Sequence, residues 1–335
     1  MVINGNLKRI FPNAVLPNVF GKLFENIEYK KAIGLNSKHG SRGVDALYGL
    51  TIDNVSSAAT VGTASTWMNN EHKNEATIGQ IEAPYYKIKS AFQTTVDSEA
   101  KFSKMGGNIS EVDLKRALTF QAIAQRKAYL TFFGANKKEG LFNQAGTTSA
   151  LPADSAGATK MSSYIAGELL EFVASEIRAI QNLSYNMLKP LIIVAPLDAI
   201  NFLKSKVVPL TNYQQVGAGT GTVAQALENI IFDMNGLQVE FVSCSYLKGK
   251  GTSGKDVMLF IAPGITDEQL GKDSTAYLNS AVQNNNVNTL MDEGLPLTET
   301  MNPSVNGVNS WFVEHITTAG ICVRAEAIRK LEYEY

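Results

Sequence analysis

Residues 108–134, NISEVDLKRALTFQAIAQRKAYLTFFG, constrain the fold of this chain more than any other stretch. Ser110 with Asp113 three residues on is a capping-box signal, and Gly134 supplies a stop, so the pattern predicts a helix over 111–134. At about 1.5 Å per residue such a helix is roughly 35 Å long. Leu114, Ala117, Leu118, Ala124, Ala128, Tyr129 and Phe132 fall on one broad stripe. Lys115, Arg116, Thr119, Arg126 and Lys127 lie opposite, but Phe120, Ile123 and Leu130 interrupt that polar face. A helix of this kind calls for more than one apolar contact.

What surrounds it falls into distinct blocks. Residues 1–75 are poorly periodic and rich in Asn, Gly, Ser and Thr, with ASTWMNNEHKNE (64–75) reading as polar loop. Phe11, Leu16, Phe20, Leu23 and Phe24 give this stretch more apolar anchors than a free linker carries, which suits an arm that wraps over something else. Residues 78–102 read as β, because Tyr85, Lys87 and Lys89 alternate with Tyr86, Ile88 and Ser90 as in an extended ribbon with one wet face. From about 160 to 265 helices and strands alternate, as expected of an α/β domain. Its elements are a helix near 161–182 (Ile165, Leu169, Phe172, Val173, Ile177, Ile180), a strand LIIVA (191–195) and a helix from Pro196 to Lys206. A helix at about 223–233 follows, then strands LQVEFVS (237–243) and VMLFIA (257–262). Residues 266–306 are loop-rich, and strand character returns from Val308 with a break at Gly320. If the β segments near 78–102 and 308–328 pair, the α/β middle is an insertion in a discontinuous outer domain.

Chemistry is hard to place on this chain. Two stretches resemble phosphate loops. GKGTSGKD (249–256) has the spacing of a nucleotide-binding loop, but Asp256 stands where a Ser or Thr hydroxyl would hold Mg²⁺, and a strand follows instead of a helix. A solvated hairpin tip explains it better. VGAGTGT (216–222) lacks the G-x-G-x-x-G spacing and a strand leading into it, and reads as a loop capping the next helix. His39 and His72 sit in polar loops, whereas His315 alternates with Val313 as a strand residue facing a partner or solvent. No HExxH, CxxC or GxSxG occurs, and Cys244 and Cys322 lie in apolar segments as buried, inert thiols. The carboxylates of DEG (292–294) and TDEQ (266–269) read as caps or surface, and Lys30-Lys31 and Lys137-Lys138 as wet faces. No catalytic, cofactor or metal site is expected.

Charge bears on partners. Lys plus Arg number 30 against 31 for Asp plus Glu, a net charge of −1, so no chain-wide field favours nucleic acid. Charged residues make up only 18% of the chain, which suits either an ordinary neutral protein or one that buries much of its surface against partners. Neither a signal-type apolar run nor a membrane-length one is present, so a reducing aqueous compartment is expected.

The order of these blocks resembles the Hong Kong 97-type major capsid protein of tailed bacteriophages. The residues that carry the resemblance are FFGANKKEGLFNQAG (132–146), APLDAINFLKS (195–205) and PLTETMNPSVNGVNSWFVEHITTAGICVRAEAIRKLEY (296–333). They resemble, respectively, the turn after that family's spine helix, the strand-to-helix step of its axial domain and its closing peripheral strands. The resemblance implies an α+β fold with an N-terminal arm (1–60), an extended β-loop (61–102) and a peripheral domain (103–184) with spine helix 111–134. It further implies an axial domain (185–300) and closing peripheral strands (301–335). The implied role is a structural, non-enzymatic subunit that self-assembles into hexamers and pentamers of an icosahedral shell around double-stranded DNA, in the virion after assembly in the host cytoplasm. The implied partners are further copies of the chain, a portal protein, a decoration protein and non-specifically packaged DNA, with no membrane. This chain has no room for the scaffolding segment some relatives carry, so a separate scaffolding protein is expected. Tyr85, Tyr86, Lys87 and Lys89 are the implied inter-subunit contacts. Some relatives cross-link Lys to Asn between subunits, but Lys87 and Lys89 have no assignable acceptor or catalytic carboxylate here. An encapsulin-like nanocompartment shell is the alternative, although Pro12 and Pro17 break the helix such proteins tend to begin with. A nucleotide-binding enzyme is a third reading, resting on GKGTSGKD and VGAGTGT.

Overall fold

The long helix organises the computed structural model, which describes residues 27–40, 42–56, 75–106, 110–183, 191–209, 220–223, 239–264, 287–305 and 307–335. In chain order the strands are β1 (Leu35–Ser37), β2 (Ala46–Ser56), β3 (Glu75–Thr95), β4 (Thr147–Ala150), β5 (Leu191–Ala195), β6 (Val207–Pro209) and β7 (Thr220–Thr222). They continue as β8 (Val239–Ser243), β9 (Asp256–Ile261), β10 (Thr289–Asp292), β11 (Leu295–Val305), β12 (Val308–Thr318), β13 (Ile321–Cys322) and β14 (Ile328–Tyr333). The helices are α1 (Val96–Gly106), α2 (Glu111–Phe133), α3 (Ala166–Leu183) and α4 (Leu197–Ser205).

Helix α2 starts and stops where its sequence says it should. The Ser110 hydroxyl accepts the Val112 amide at 3.2 Å, and Gly134, at φ +66°, donates its amide to the Leu130 carbonyl at 2.8 Å. Its faces differ from the expected stripe. Ala128 and Phe132 are buried, but Ala117, Leu118 and Ala124 are exposed, while Thr119, Ile123, Lys127, Leu130 and Thr131 are buried. The reason is that two layers meet the helix from different sides. Ile123 and Leu130 pack with Ile88, Phe92 and Val313 of one sheet, and Ala128 and Phe132 with Ile192, Val194 and Leu259 of another. Thr119 and Thr131 tolerate burial because their hydroxyls donate to the Lys115 and Lys127 carbonyls at 2.8 and 3.0 Å.

The first sheet has the order β11-β12-β3-β2. Strand β3 pairs antiparallel with β12 from Thr95↔Val308 to Tyr85↔Thr318, so the early and late β segments do join. Further out, β3 changes partner: residues 75–84 pair with β2, from Ala46↔Pro84 to Ser56↔Glu75. Among the described residues the β2–β3 half is thus a two-stranded ribbon. The β reading of 96–102 is corrected, because Val96–Gly106 is helical. Thr95 and Ser98 form a reciprocal cap, the Ser98 amide donating to Thr95 Oγ1 at 3.0 Å and the Thr95 amide to Ser98 Oγ at 3.1 Å. Asp97 and Glu99 in the first turn suit the helix dipole.

The second sheet has the order β4-β14-β9-β5-β8 and is covered on both faces. Along β9, Met258 and Phe260 join a core with α3 and α4 residues such as Val173, Ile177 and Leu203, whereas Val257, Leu259 and Ile261 face the α2 side. Near-continuous apolar strands are what a doubly covered sheet requires. Strand β14, grouped by sequence with the closing strands, lies inside this sheet between β4 and β9. Helix α3 buries Leu169, Val173, Ile177 and Ile180 as expected, but Ile165 lies before it and is exposed. Residues 216–219 of the VGAGTGT stretch and most of the 223–233 helix lie outside the described residues. So do His72, TDEQ and the apolar anchors at 11–24. Thr220–Thr222 forms β7, paired with β6.

Candidate assembly surface

Strand β10 lies between β1 and β13 and ends at two carboxylates. Asp292, read from sequence as cap or surface, is fully buried. Its Oδ2 accepts the Ser37 hydroxyl at 2.6 Å and the His39 amide at 2.8 Å, and its Oδ1 accepts the Gly40 amide at 3.1 Å. The Tyr85 hydroxyl is a further donor. Burial alone would raise its pKa, but these donors hold it below the ordinary value. The next residue, Glu293, forms an ion pair with Lys127 of α2 and accepts from Asn36 Nδ2 at 3.1 Å and the Tyr29 hydroxyl at 3.4 Å. Burial opposes its charge, yet Lys127, Asn36 and Lys30 bring it down to about 2. Two adjacent carboxylates therefore tie residues 29–40 to α2 and to β3.

Acid should loosen this node first. Both carboxylates have folded-state pKa values below their unfolded ones, so their stabilisation is complete above about pH 4.5 and is lost as pH falls, for Glu293 as it approaches about 2. The urea midpoint is expected to drop from about pH 5 to about pH 3, and less steeply in Glu293→Gln. Equal slopes in the two proteins would contradict this assignment.

The four residues implied as contacts divide between two faces of β3. Tyr86 donates its hydroxyl to Glu139 Oε2 at 2.6 Å, tying the sheet to the turn after α2. Tyr85, pushed up to about 12 by burial and by Asp292, is spent on that buried carboxylate. Both phenols thus serve the fold of their own chain. Lys87 and Lys89 are exposed and line an open groove with Arg42, Thr300, Phe312 and Glu314. Phe312 is 48% exposed there, and Arg42 pairs with Glu314 at 3.2 Å.

The GKGTSGKD stretch is on the surface but is not a hairpin tip. Strand β5 lies between β8 and β9, so the loop is a crossover. Asp256 Oδ1 accepts the Gly249 amide at 2.7 Å, the Lys255 carbonyl accepts the Gly251 amide at 2.7 Å, and Thr252 donates to Glu332 at 3.1 Å. The loop's own carboxylate thus sits where a nucleotide loop would offer a hydroxyl to Mg²⁺. His315, expected at a partner or solvent face, is buried in β12 because that strand is covered on the α2 side. Cys244 is buried, and burial pushes the Cys322 thiol up to about 12, which leaves it unreactive. His39 is exposed, as read. Among the described residues no group of His, Cys, Asp and Glu could hold a metal, and no helix is long and apolar enough to cross a membrane.

No protein-family model matches the chain, and no curated protein matches it. Solved structures do. The capsid of Myoviridae phage XM1 is similar over 96% of this chain and 97% of that one, with a TM-score of 0.67 at 13% identity. The capsid of a native GTA particle is similar over 99% and 98%, with a TM-score of 0.59 at 10% identity. The capsid of cyanophage P-SCSP1u is similar over 98% and 94%, with a TM-score of 0.59 at 8% identity. Across so wide a range of sequence, the chain has the fold of tailed-phage capsid proteins.

Proposed function

We propose that this chain is a major capsid subunit, a structural protein with no catalytic role, which self-assembles into a closed icosahedral shell. The observation that carries the reading is the β2–β3 ribbon, two long strands with no third strand beside them over 46–56 and 75–84 among the described residues. A two-stranded ribbon in water is marginally stable by itself, and a neighbouring subunit supplies the missing support. Similarity over nearly the whole length of several capsid chains supports the same reading. On it, the residues before β2 act as an arm and the ribbon overlaps a neighbour. Helix α2 is the spine of the peripheral domain, and the axial domain (185–300) surrounds the axes of hexamers and pentamers. Lys87, Lys89 and Phe312 meet another copy. Double-stranded DNA fills the shell in the virion, with scaffolding, portal and decoration proteins as partners.

Electron microscopy of the expressed full chain, with a separate scaffolding protein if required, tests this. Closed shells are expected, and shells from infected cells should contain DNA. Shells holding a cargo enzyme and no genome would replace the capsid role with a nanocompartment. Persistent monomers under every assembly condition would overturn both.

A further inference from the structure

We propose that a strip of cations seated on aromatic rings at the C-terminal half of α2 is a binding surface for the phosphate backbone of nucleic acid. Arg126 lies 5.0 Å from the centre of the Tyr129 ring, and Tyr129 leans on Phe133 at 5.1 Å. Lys250, from the GKGTSGKD loop, sits 5.7 Å from the Phe133 ring. Phe133 in turn meets Phe142 at 5.2 Å, and Lys330 of β14 sits 4.7 Å from the Phe142 ring. Three elements distant in sequence thus converge on one row of charges. The rings pack at the edge of the core formed by Ala128, Phe132 and Leu259, so their positions are set by the fold. Each ring's negative face holds its cation in place, which preorganises the row.

What marks the row as a site is that, among the described residues, none of its three cations forms an ion pair. Arg116, Lys127, Lys248 and Arg329 each pair with a carboxylate, but among the described residues Arg126, Lys250 and Lys330 pair with none. Glu332 is the carboxylate felt by Lys330, and its Oε1 already accepts from Thr252. Burial disfavours the Lys330 ammonium, so an anion arriving there would relieve a desolvated charge. The rings themselves are not stacking platforms, because cations and neighbouring rings occupy their surfaces. Phosphates rather than bases are the target, and binding is independent of sequence. Naming duplex DNA as the polyanion rests on the capsid reading; the strip itself does not.

The test is fluorescence anisotropy of the purified, unassembled full chain with a short random-sequence DNA duplex over a range of salt. Three phosphate contacts predict a slope of about −2.7 in log K against log salt, roughly 40-fold weaker binding from about 50 to about 200 mM. Arg126→Gln/Lys250→Gln/Lys330→Gln should bring the slope close to zero, and Arg126→Lys/Lys250→Arg/Lys330→Arg should keep it. Lys87→Gln/Lys89→Gln, on the first sheet, should change affinity less than about twofold. If the triple glutamine variant misfolds, Lys250→Gln alone, at an exposed loop, should lower the slope by about 0.9. The proposal is overturned by a wild-type chain without salt-dependent binding, by a folded glutamine variant that binds like wild type, or by an equal loss in the Lys87/Lys89 variant. Shell formation by the same variants is scored separately. Shells without DNA binding sink the strip alone, and DNA binding without shells sinks the capsid reading alone.

Discussion

Gly140→Ala is expected to destabilise the subunit by about 3–5 kcal/mol, enough to remove much of the stability of an ordinary domain. Gly140 has φ +82°, and a β-carbon there would lie 2.4 Å from the Gly134 nitrogen, 2.5 Å from the Phe133 carbonyl carbon and 2.6 Å from the Phe132 oxygen. All three are backbone atoms at the end of α2 and cannot swing aside. Gly134 is held reciprocally, its own β-carbon position falling 2.5–2.6 Å from Glu139. Asn143 closes the turn by donating to the Phe133 and Glu139 carbonyls at 2.9 and 2.7 Å. The Gly140 amide donates to the Gly320 carbonyl at 3.1 Å, which joins the turn to the break between β12 and β13. Urea unfolding of the soluble subunit measures the loss. Should Gly140→Ala yield no soluble protein, Asn143→Ala keeps the comparison readable, at an expected cost of about 1–3 kcal/mol. A wild-type midpoint in Gly140→Ala would show that the two glycines do not interlock.

Asp292→Ala is expected to cost a similar amount, about 3–5 kcal/mol, by a different route. It leaves the Ser37 hydroxyl, the His39 and Gly40 amides and the Tyr85 hydroxyl without their common acceptor in a buried place. The segment released, residues 37–40, leads toward β2 of the ribbon. Trypsin should therefore cut after Lys38 faster in Asp292→Ala than in the wild type, while sites in α2 stay protected until global unfolding. Asp292→Asn should fall between the two, since its amide oxygen still accepts but carries no charge. Unchanged cleavage at Lys38 would mean that β1 is held by its strand pairing to β10 alone.

The parts of the structure legible from sequence are those set by neighbours within a few residues. Ser110 and Gly134 mark the ends of α2 because caps act locally. The alternation of Tyr85 through Ser90 marks a strand with two faces. The reciprocal Thr95–Ser98 cap was equally local, and T-V-D-S-E is the signal that could have marked α1. What escaped depends on partners far along the chain. Lys127 is buried because Glu293 meets it, and nothing near residue 127 announces that carboxylate. Likewise Asp292 looks like loop until the 37–40 segment folds over it, and Tyr85 like a surface phenol until Asp292 accepts from it. For GKGTSGKD, Asp256 and the strand after it exclude a nucleotide loop, but only strand order shows that β5 separates the flanking strands. The cation strip escaped for the same reason, since Arg126, Lys250 and Lys330 become neighbours only when α2, the crossover loop and β14 converge.

A cryo-electron microscopy map of particles assembled from the full chain tests the central claim most directly. The capsid account predicts closed icosahedral shells in which α2 runs along the wall and the ribbon of residues 46–56 and 75–84 lies against the next subunit. A map in which subunits form closed particles while that ribbon touches only its own chain, or a chain that stays monomeric, would contradict it.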